Sequence, residues 1–265
     1  MDMEKISKAQ IKTVRSLQVK KFRDESGLFV AEGDKCVSEL TKAFELVHLY
    51  REGENATRTE IEQMSGLRTP QGVIGVFKKQ PSNNLKQSQT ISNDLTLALD
   101  GIQDPGNLGT IIRTCDWFGV HDIVCSLDTA DCYNPKVVQA TMGALARVRI
   151  HYVDLPKWIK EFKIQNSKFK IFGTLLEGKD MYDVMSSCRH DETPAIIIMG
   201  NEGNGISQEV RQLITSPIRI PSYPKNGASE HSEKNVEAPE VIESLNVSIA
   251  TAIVLAEFRR RSSAL

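Results

Sequence analysis

At 265 residues the chain has room for one large domain or two modest ones, and its composition, 40% hydrophobic and 25% charged, is that of a globular protein. No apolar run approaches the ~18 residues that suggest a membrane span. The opening MDMEKISKAQ lacks the apolar core of a secretory signal, and five cysteines without a C-x-x-C pair argue against a disulfide framework or a zinc ribbon. The expectation is a protein of the reducing cytoplasm, with no membrane partner and no metal.

The formal net charge is only −1, but residues 1–23 hold seven Lys or Arg against two acids. Lys5, Lys8, Lys12 and Arg15 recur at spacings of three and four, which places them on one face of a helix, with Ile11, Val14 and Leu17 on another. Together with Lys20 and Arg23 this is either a phosphate-contacting face or a solvated surface. The β-rich runs GLFVAEG, FELVHLY and GVIGVF then alternate with the helical DKCVSELTKA, so residues 1–78 read as a small α/β unit. In the polar KKQPSNNLKQSQTISND, around Pro81, residues 79–94 read as a linker.

From residue 95 to the C-terminus strands alternate with helices: LTLALD before IIRTCDWF, DIVCSL before PKVVQATMGAL, KIFGTLL, AIIIMG before SQEVRQLI, and IRIP before a last helix. The alternation predicts a mostly parallel sheet covered on both faces, with ligands held outside the carboxyl ends of the strands.

Three loops sit at those ends. In GIQDPGNLGT, Asn107 is placed to cap the next helix, Gly109 lets the backbone approach a neighbour, and Arg113 follows about two turns in; Gly119 suits the helix stop. GNEGNGIS supplies Gly200, Gly203 and the carboxylate of Glu202, with Ser207 as a candidate cap. In ESLNVSIATAIVLAEFRRR, Ser244 can cap a helix whose Ile249, Ala250, Ile253 and Val254 keep the helical period. Asn246 would then lie in the first turn, a poor interior choice unless its amide is used. The run Arg259 to Arg261 suits the end of a helix dipole. GTLLEGKD imitates a phosphate loop, but Asp180 stands where such a loop needs Ser or Thr for Mg²⁺. The five histidines lack metal-pair spacing.

Taken in this order the loops resemble the three motifs of the SpoU (TrmH-type) RNA ribose 2′-O-methyltransferases. Asn107, Gly109 and Arg113 match the first, GNEGNG the second and SLNVSIA the third, in register over about residues 95–260. Residues 1–78, with KKFRDESGLFVAEGDKCVSE, are similar to the ribosomal-protein-like α/β domain that often precedes this catalytic domain. The resemblance implies an α/β catalytic domain over 95–265, its parallel sheet ending in a C-terminal trefoil knot. It also implies S-adenosylmethionine as cofactor, a homodimer, and RNA as substrate, rRNA ahead of tRNA. Under it Arg113, Asn107, Glu202, Ser244 and Asn246 form the catalytic set, and Gly200, Gly203, Ile220 and Leu245 touch the cofactor. Lys5, Lys8, Lys12, Arg15, Lys20 and Arg23 meet RNA. One departure stands out: 22 residues, 222–243, replace the family's short link between IP and S-L-N.

A ribose hydroxyl is a poor nucleophile at neutral pH, and its oxygen gains negative character as it attacks a sulfonium methyl. A fixed cation beside it therefore helps most in the transition state. Arg113 is the candidate cation, as a general base or as an electrostatic stabiliser. A non-catalytic RNA-binding protein and an RNA base methyltransferase are the alternatives; the presence of Arg113 and Asn246 favours the enzyme.

Overall fold

Two β-sheets organise the computed structural model, which describes residues 6–80, 95–165, 170–186, 195–223 and 244–262. Most of the linker read at 79–94, most of the 22-residue segment, Lys5, and the histidines 190 and 231 lie outside the described residues.

The first sheet is antiparallel, with β3 (Val73–Lys78) between β1 (Leu28–Glu32) and β2 (Leu46–Arg51). Its helices are α1 (Lys8–Ser16), α2 (Lys20–Ser26), α3 (Asp34–Leu40) and α4 (Arg58–Met64). Helix α1 starts on a capping box in which Ser7 and Gln10 satisfy each other's backbone N–H groups. It buries Val14 and leaves Lys8, Lys12 and Arg15 exposed, as its periodicity predicts.

The second sheet has six parallel strands in the order β6 (Arg149–Val153), β5 (Asp122–Ser126), β4 (Leu95–Asp100), β8 (Ala195–Gly200), β7 (Lys170–Asp180) and β9 (Ser216–Arg219). Strands β4 and β5 are buried along their whole length, the pattern of a parallel sheet covered on both sides. Leu97 and Leu99 meet α5 (Pro105–Trp117), α6 (Pro135–Thr141) and α10 (Val247–Ser262) on one face. Ala98, Ile196 and Ile198 meet α7 (Leu155–Gln165) and α9 (Gln208–Arg211) on the other. A short α8 (Met181–Ser186) follows β7. The phosphate-loop imitation GTLLEGKD is part of β7 itself.

Gly109 does what the sequence suggests. A Cβ there would lie 2.5 Å from Ala140 Cβ and 2.8 Å from the Val137 carbonyl oxygen, so only glycine lets α5 and α6 approach this closely. Gly119, at φ +66°, ends α5.

The two sheets share one core. Phe29 and Phe77 of the first sheet, with Phe44 from the turn before β2, join the cluster that contains Leu97 and Ile111, and Phe29 packs 4.7 Å, centroid to centroid, from Tyr133. Arg23 corrects an expectation here. It is 1% exposed, its guanidinium pairs at 2.7 Å with Asp131 of the second sheet's loops, and it donates to the Leu17 and Gln18 carbonyls. Its charge is used in joining the sheets and is not offered to phosphate.

Candidate active site

The site begins at the carboxyl end of β4. The expected cap at Asn107 is corrected: Asp104 is the N-cap of α5, its carboxylate accepting from the Asn107 backbone N–H at 2.8 Å, and Pro105 occupies the first helical position. Asn107 is therefore inside the first turn with its side chain free to reach out of the helix. The cap at Ser244 is likewise corrected. Helix α10 starts at Val247, and Ser244 and Leu245 lie exposed just ahead of it.

Asn246 takes the capping position instead. Its Oδ1 accepts from the Ser248 backbone N–H at 3.0 Å, the Ser248 hydroxyl at 2.6 Å and the Ile249 N–H at 3.4 Å. Because the helix N–H groups demand an oxygen, the amide NH₂ must face the other way. There it donates to Asn107 Oδ1 at 2.9 Å and to Glu202 Oε1 at 2.6 Å. One amide thus joins three loops, reaching partners 139 and 44 residues earlier in the chain. Glu202 also accepts from the Val247 backbone N–H at 3.1 Å, at the positive end of the α10 dipole.

The second loop is built to deliver Glu202. Asn201 Oδ1 accepts from the backbone N–H groups of Gly203 and Asn204 at 2.8 and 3.1 Å, while its amide donates to the Gly101 carbonyl at 2.7 Å. Asn201 and Gly205 exchange backbone hydrogen bonds, and a Cβ on Gly200 would fall 2.3 Å from the Gly205 carbonyl carbon. Ser207 stands at the N-cap of α9, but its side chain makes no capping bond; its backbone N–H donates to Asp100 at 2.7 Å.

Arg113 lies on the exposed stripe of α5 with Gly106, Thr110 and Trp117, spaced four, three and four apart. Among the described residues it has no ion pair, unlike Arg147, which holds Asp116 and Glu39, or Arg149, which holds Asp122. An exposed guanidinium without an ion pair, on the helix that also carries Asn107, is a ready receptor for an oxyanion or a phosphate. Leu245 and Ile220, half-exposed and partly buried respectively, offer apolar surface, and Gly205 has open space around its Cα. Gly203 is exposed on the loop that carries Glu202; Ile220 lies beyond β9, two strands from β8. The described residues hold no cluster of three metal-ligating side chains, and none of their helices is long and apolar enough to cross a membrane.

Of the expected RNA face, Lys8 and Lys12 project freely, Arg15 donates to the Gln63 carbonyl at 3.1 Å, and Lys20 pairs with Asp24. Of the aromatic residues Tyr50, Phe77 and Tyr223, which could stack on RNA bases, the first two are buried and Tyr223 is exposed. Sequence reasoning missed Asp104, although Asp-Pro before a helical run is a start signal. It also missed Ser248, whose hydroxyl fixes Asn246, because no local pattern marks it.

The family model for the SpoU rRNA Methylase family matches residues 94–256, and that for the MRM3-like substrate binding domain matches residues 8–57. Among curated relatives, the 23S rRNA (guanosine(2553)-2'-O)-methyltransferase RlmP of Bacillus subtilis is 26% identical, with 97% of this chain and 98% of the relative covered. The 23S rRNA (guanosine-2'-O-)-methyltransferase RlmB of Neisseria meningitidis is 31% identical over 72% of this chain and 69% of the relative. Among solved structures, a TrmH-family protein from Porphyromonas gingivalis superposes with a TM-score of 0.80 at 34% identity, covering 97% of this chain and 100% of its own. An AdoMet-bound rRNA methyltransferase from Sinorhizobium meliloti gives 0.78 at 27% identity, covering 97% of both.

Proposed function

Because the chain belongs to the SpoU rRNA methylase family, we propose that it transfers a methyl group from S-adenosylmethionine to a ribose 2′-hydroxyl of ribosomal RNA. The observation that carries this reading is the Asn246 amide, which binds Asn107 and Glu202 together, with Arg113 exposed on the same helix as Asn107 and without an ion pair among the described residues.

S-adenosylmethionine supplies an electrophilic methyl on a sulfonium, and the AdoMet-bound relative supports it as the cofactor. The loop Gly200 to Gly205, with Ile220 and Leu245, fits a nucleoside held by backbone groups and apolar contact, so these residues are assigned to cofactor binding. Arg113 orients the hydroxyl and the neighbouring phosphate and opposes the charge that grows on the attacking oxygen. Asn107 turns its Oδ1 to Asn246, which leaves its NH₂ as a second donor at the same place. Glu202 and Asn246 hold that donor in position, and Ser244 contributes its hydroxyl at the rim. Lys8, Lys12, Arg15 and Lys20 form the phosphate-contacting face of the substrate-binding domain, 1–78, ahead of the catalytic domain, 95–265.

The same reading includes a trefoil knot in the chain after β8, action in the cytoplasm, and a homodimer. The dimer is supported by exposed apolar residues on the packed pair α5 and α10: Trp117 is 84% and Ile249 53% exposed.

Labelled S-adenosylmethionine incubated with total RNA from cells lacking the protein, then fractionated, tests the proposal. Label enters rRNA with the wild-type chain and falls by roughly 10²-fold or more with Arg113→Ala. Label confined to tRNA, or undiminished in the variant, contradicts it.

A further inference from the structure

The end of α10 carries a contact that the site described above does not use. Arg259 reaches across to α5, its Nε donating to the Phe118 carbonyl at 2.6 Å and its Nη2 to the Gly119 carbonyl at 2.9 Å. A helix leaves its last carbonyls without partners, and a cation there is favoured by the dipole. Here the cation comes from a different helix, so the contact ties two elements together. Arg260, the next residue, turns back to Glu257 of its own helix at 2.8 Å and makes no such tie in these bonds.

The two polar contacts define how the helices lie. Asn246, capping α10, meets Asn107 in the first turn of α5; Arg259, near the end of α10, meets the end of α5. The helices therefore run side by side in the same direction, fastened at both ends. Between the fastenings both helices bury apolar side chains, including Cys115 of α5 and Val254 of α10, in the common core. Arg113 lies six residues from Asn107 and five from Phe118.

We propose that Arg259 is a positioning residue for Arg113: its guanidinium fork fixes α5 lengthwise against α10 and so fixes where the Arg113 side chain meets the ribose. The inference rests on the assignment of Arg113 under the proposed function. Without the fork, α5 keeps its packing on α6 and the Arg147–Asp116 pair, but its only remaining polar tie to α10 among the bonds given above is Asn246 to Asn107 at the other end, so its C-terminal half can shift along α10. A shift of about 1 Å at a reacting group costs on the order of 10²-fold in rate.

Arg259→Ala, Arg259→Lys, Arg113→Ala and the Arg259→Ala/Arg113→Ala double variant test this by single-turnover methyl transfer. The probe is rRNA from cells lacking the protein, with cofactor affinity by calorimetry and folding by thermal melt. Arg259→Ala lowers the single-turnover rate by about tenfold or more with cofactor affinity unchanged. Arg259→Lys, with one donor nitrogen where the fork uses two, recovers part of the rate. In the Arg113→Ala background, Arg259→Ala costs nothing further, because the group it positions is gone. A wild-type rate for Arg259→Ala, an equal loss in both backgrounds, or a loss that matches the unfolded fraction overturns the inference. Arg113→Ala at wild-type rate removes the assignment of Arg113 and this inference with it; Arg113→Ala inactive beside a fully active Arg259→Ala removes this inference alone.

Discussion

Asn246 uses both ends of one amide, and the two uses separate by substitution. Aspartate caps a helix as well as asparagine but has no N–H to give Asn107, and it sets a second carboxylate against Glu202. Asn246→Asp is therefore expected to keep most of the thermal stability and lose most of the methyl transfer. Asn246→Ala loses the transfer and about 1 kcal/mol of stability as well, from the missing cap; melts and rates on both variants check this. Asn246 was marked in the sequence as an asparagine out of place in a helix. Its true position one residue outside the helix was not readable, because S-L-N offers two caps and the choice is made by Asn107 and Glu202, far away in the chain. Arg23 shows the same limit. It belongs by sequence to the basic face, but Asp131, 108 residues on, decides its fate. Breaking that buried pair with Arg23→Ala is expected to destabilise the protein by about 3–5 kcal/mol. Lys12→Ala should leave stability unchanged and weaken RNA binding in low salt. A destabilised Lys12→Ala, or a fully stable Arg23→Ala, would contradict the division.

At the scale of elements, the contact between α5 and α6 was legible as a glycine inside a helix, where glycine has a cost unless something comes close. Gly109→Ala is expected to destabilise by roughly 1–3 kcal/mol, since its Cβ meets Ala140 and the Val137 carbonyl; denaturant unfolding measures it. Strands β4, β5 and β8 were readable because they are buried on both faces and largely apolar. Strand β6 was not read. RIHYV is an edge strand carrying Arg149 and His151 toward Asp122, so it has neither a continuous apolar run nor clean alternation. Helix α7 was missed although Trp158, Ile159 and Phe162 keep helical spacing.

Across the whole molecule, the alternating pattern foretold a parallel sheet, but the strand order and the merging of the two sheets into one core depend on pairings that no local pattern encodes. Two carboxylates give the fold a titratable signature. Hydrogen bonds from Lys20 and then Lys79 hold Asp24 down at about 2, from an ordinary 3.8. Burial works against the charge of Asp122, yet hydrogen bonds from His151 and Arg149 hold it well below the carboxylate range. Both groups stabilise the fold fully above their unfolded values near 4 and lose that contribution as pH falls toward their folded ones. Stability is accordingly expected to drop between about pH 4 and pH 2, and Asp24→Asn should flatten the upper part of that acid limb in urea titrations; an unchanged limb would contradict the assignment. The most direct test of the central claim is where the methyl lands. A 2′-O-methyl group removes the nucleophile of alkaline cleavage, so label placed on ribose survives alkali in dinucleotides, whereas label on a base is released in mononucleotides. Alkali-stable labelled dinucleotides are expected from rRNA treated with the wild-type protein; labelled mononucleotides would show a base methyltransferase instead.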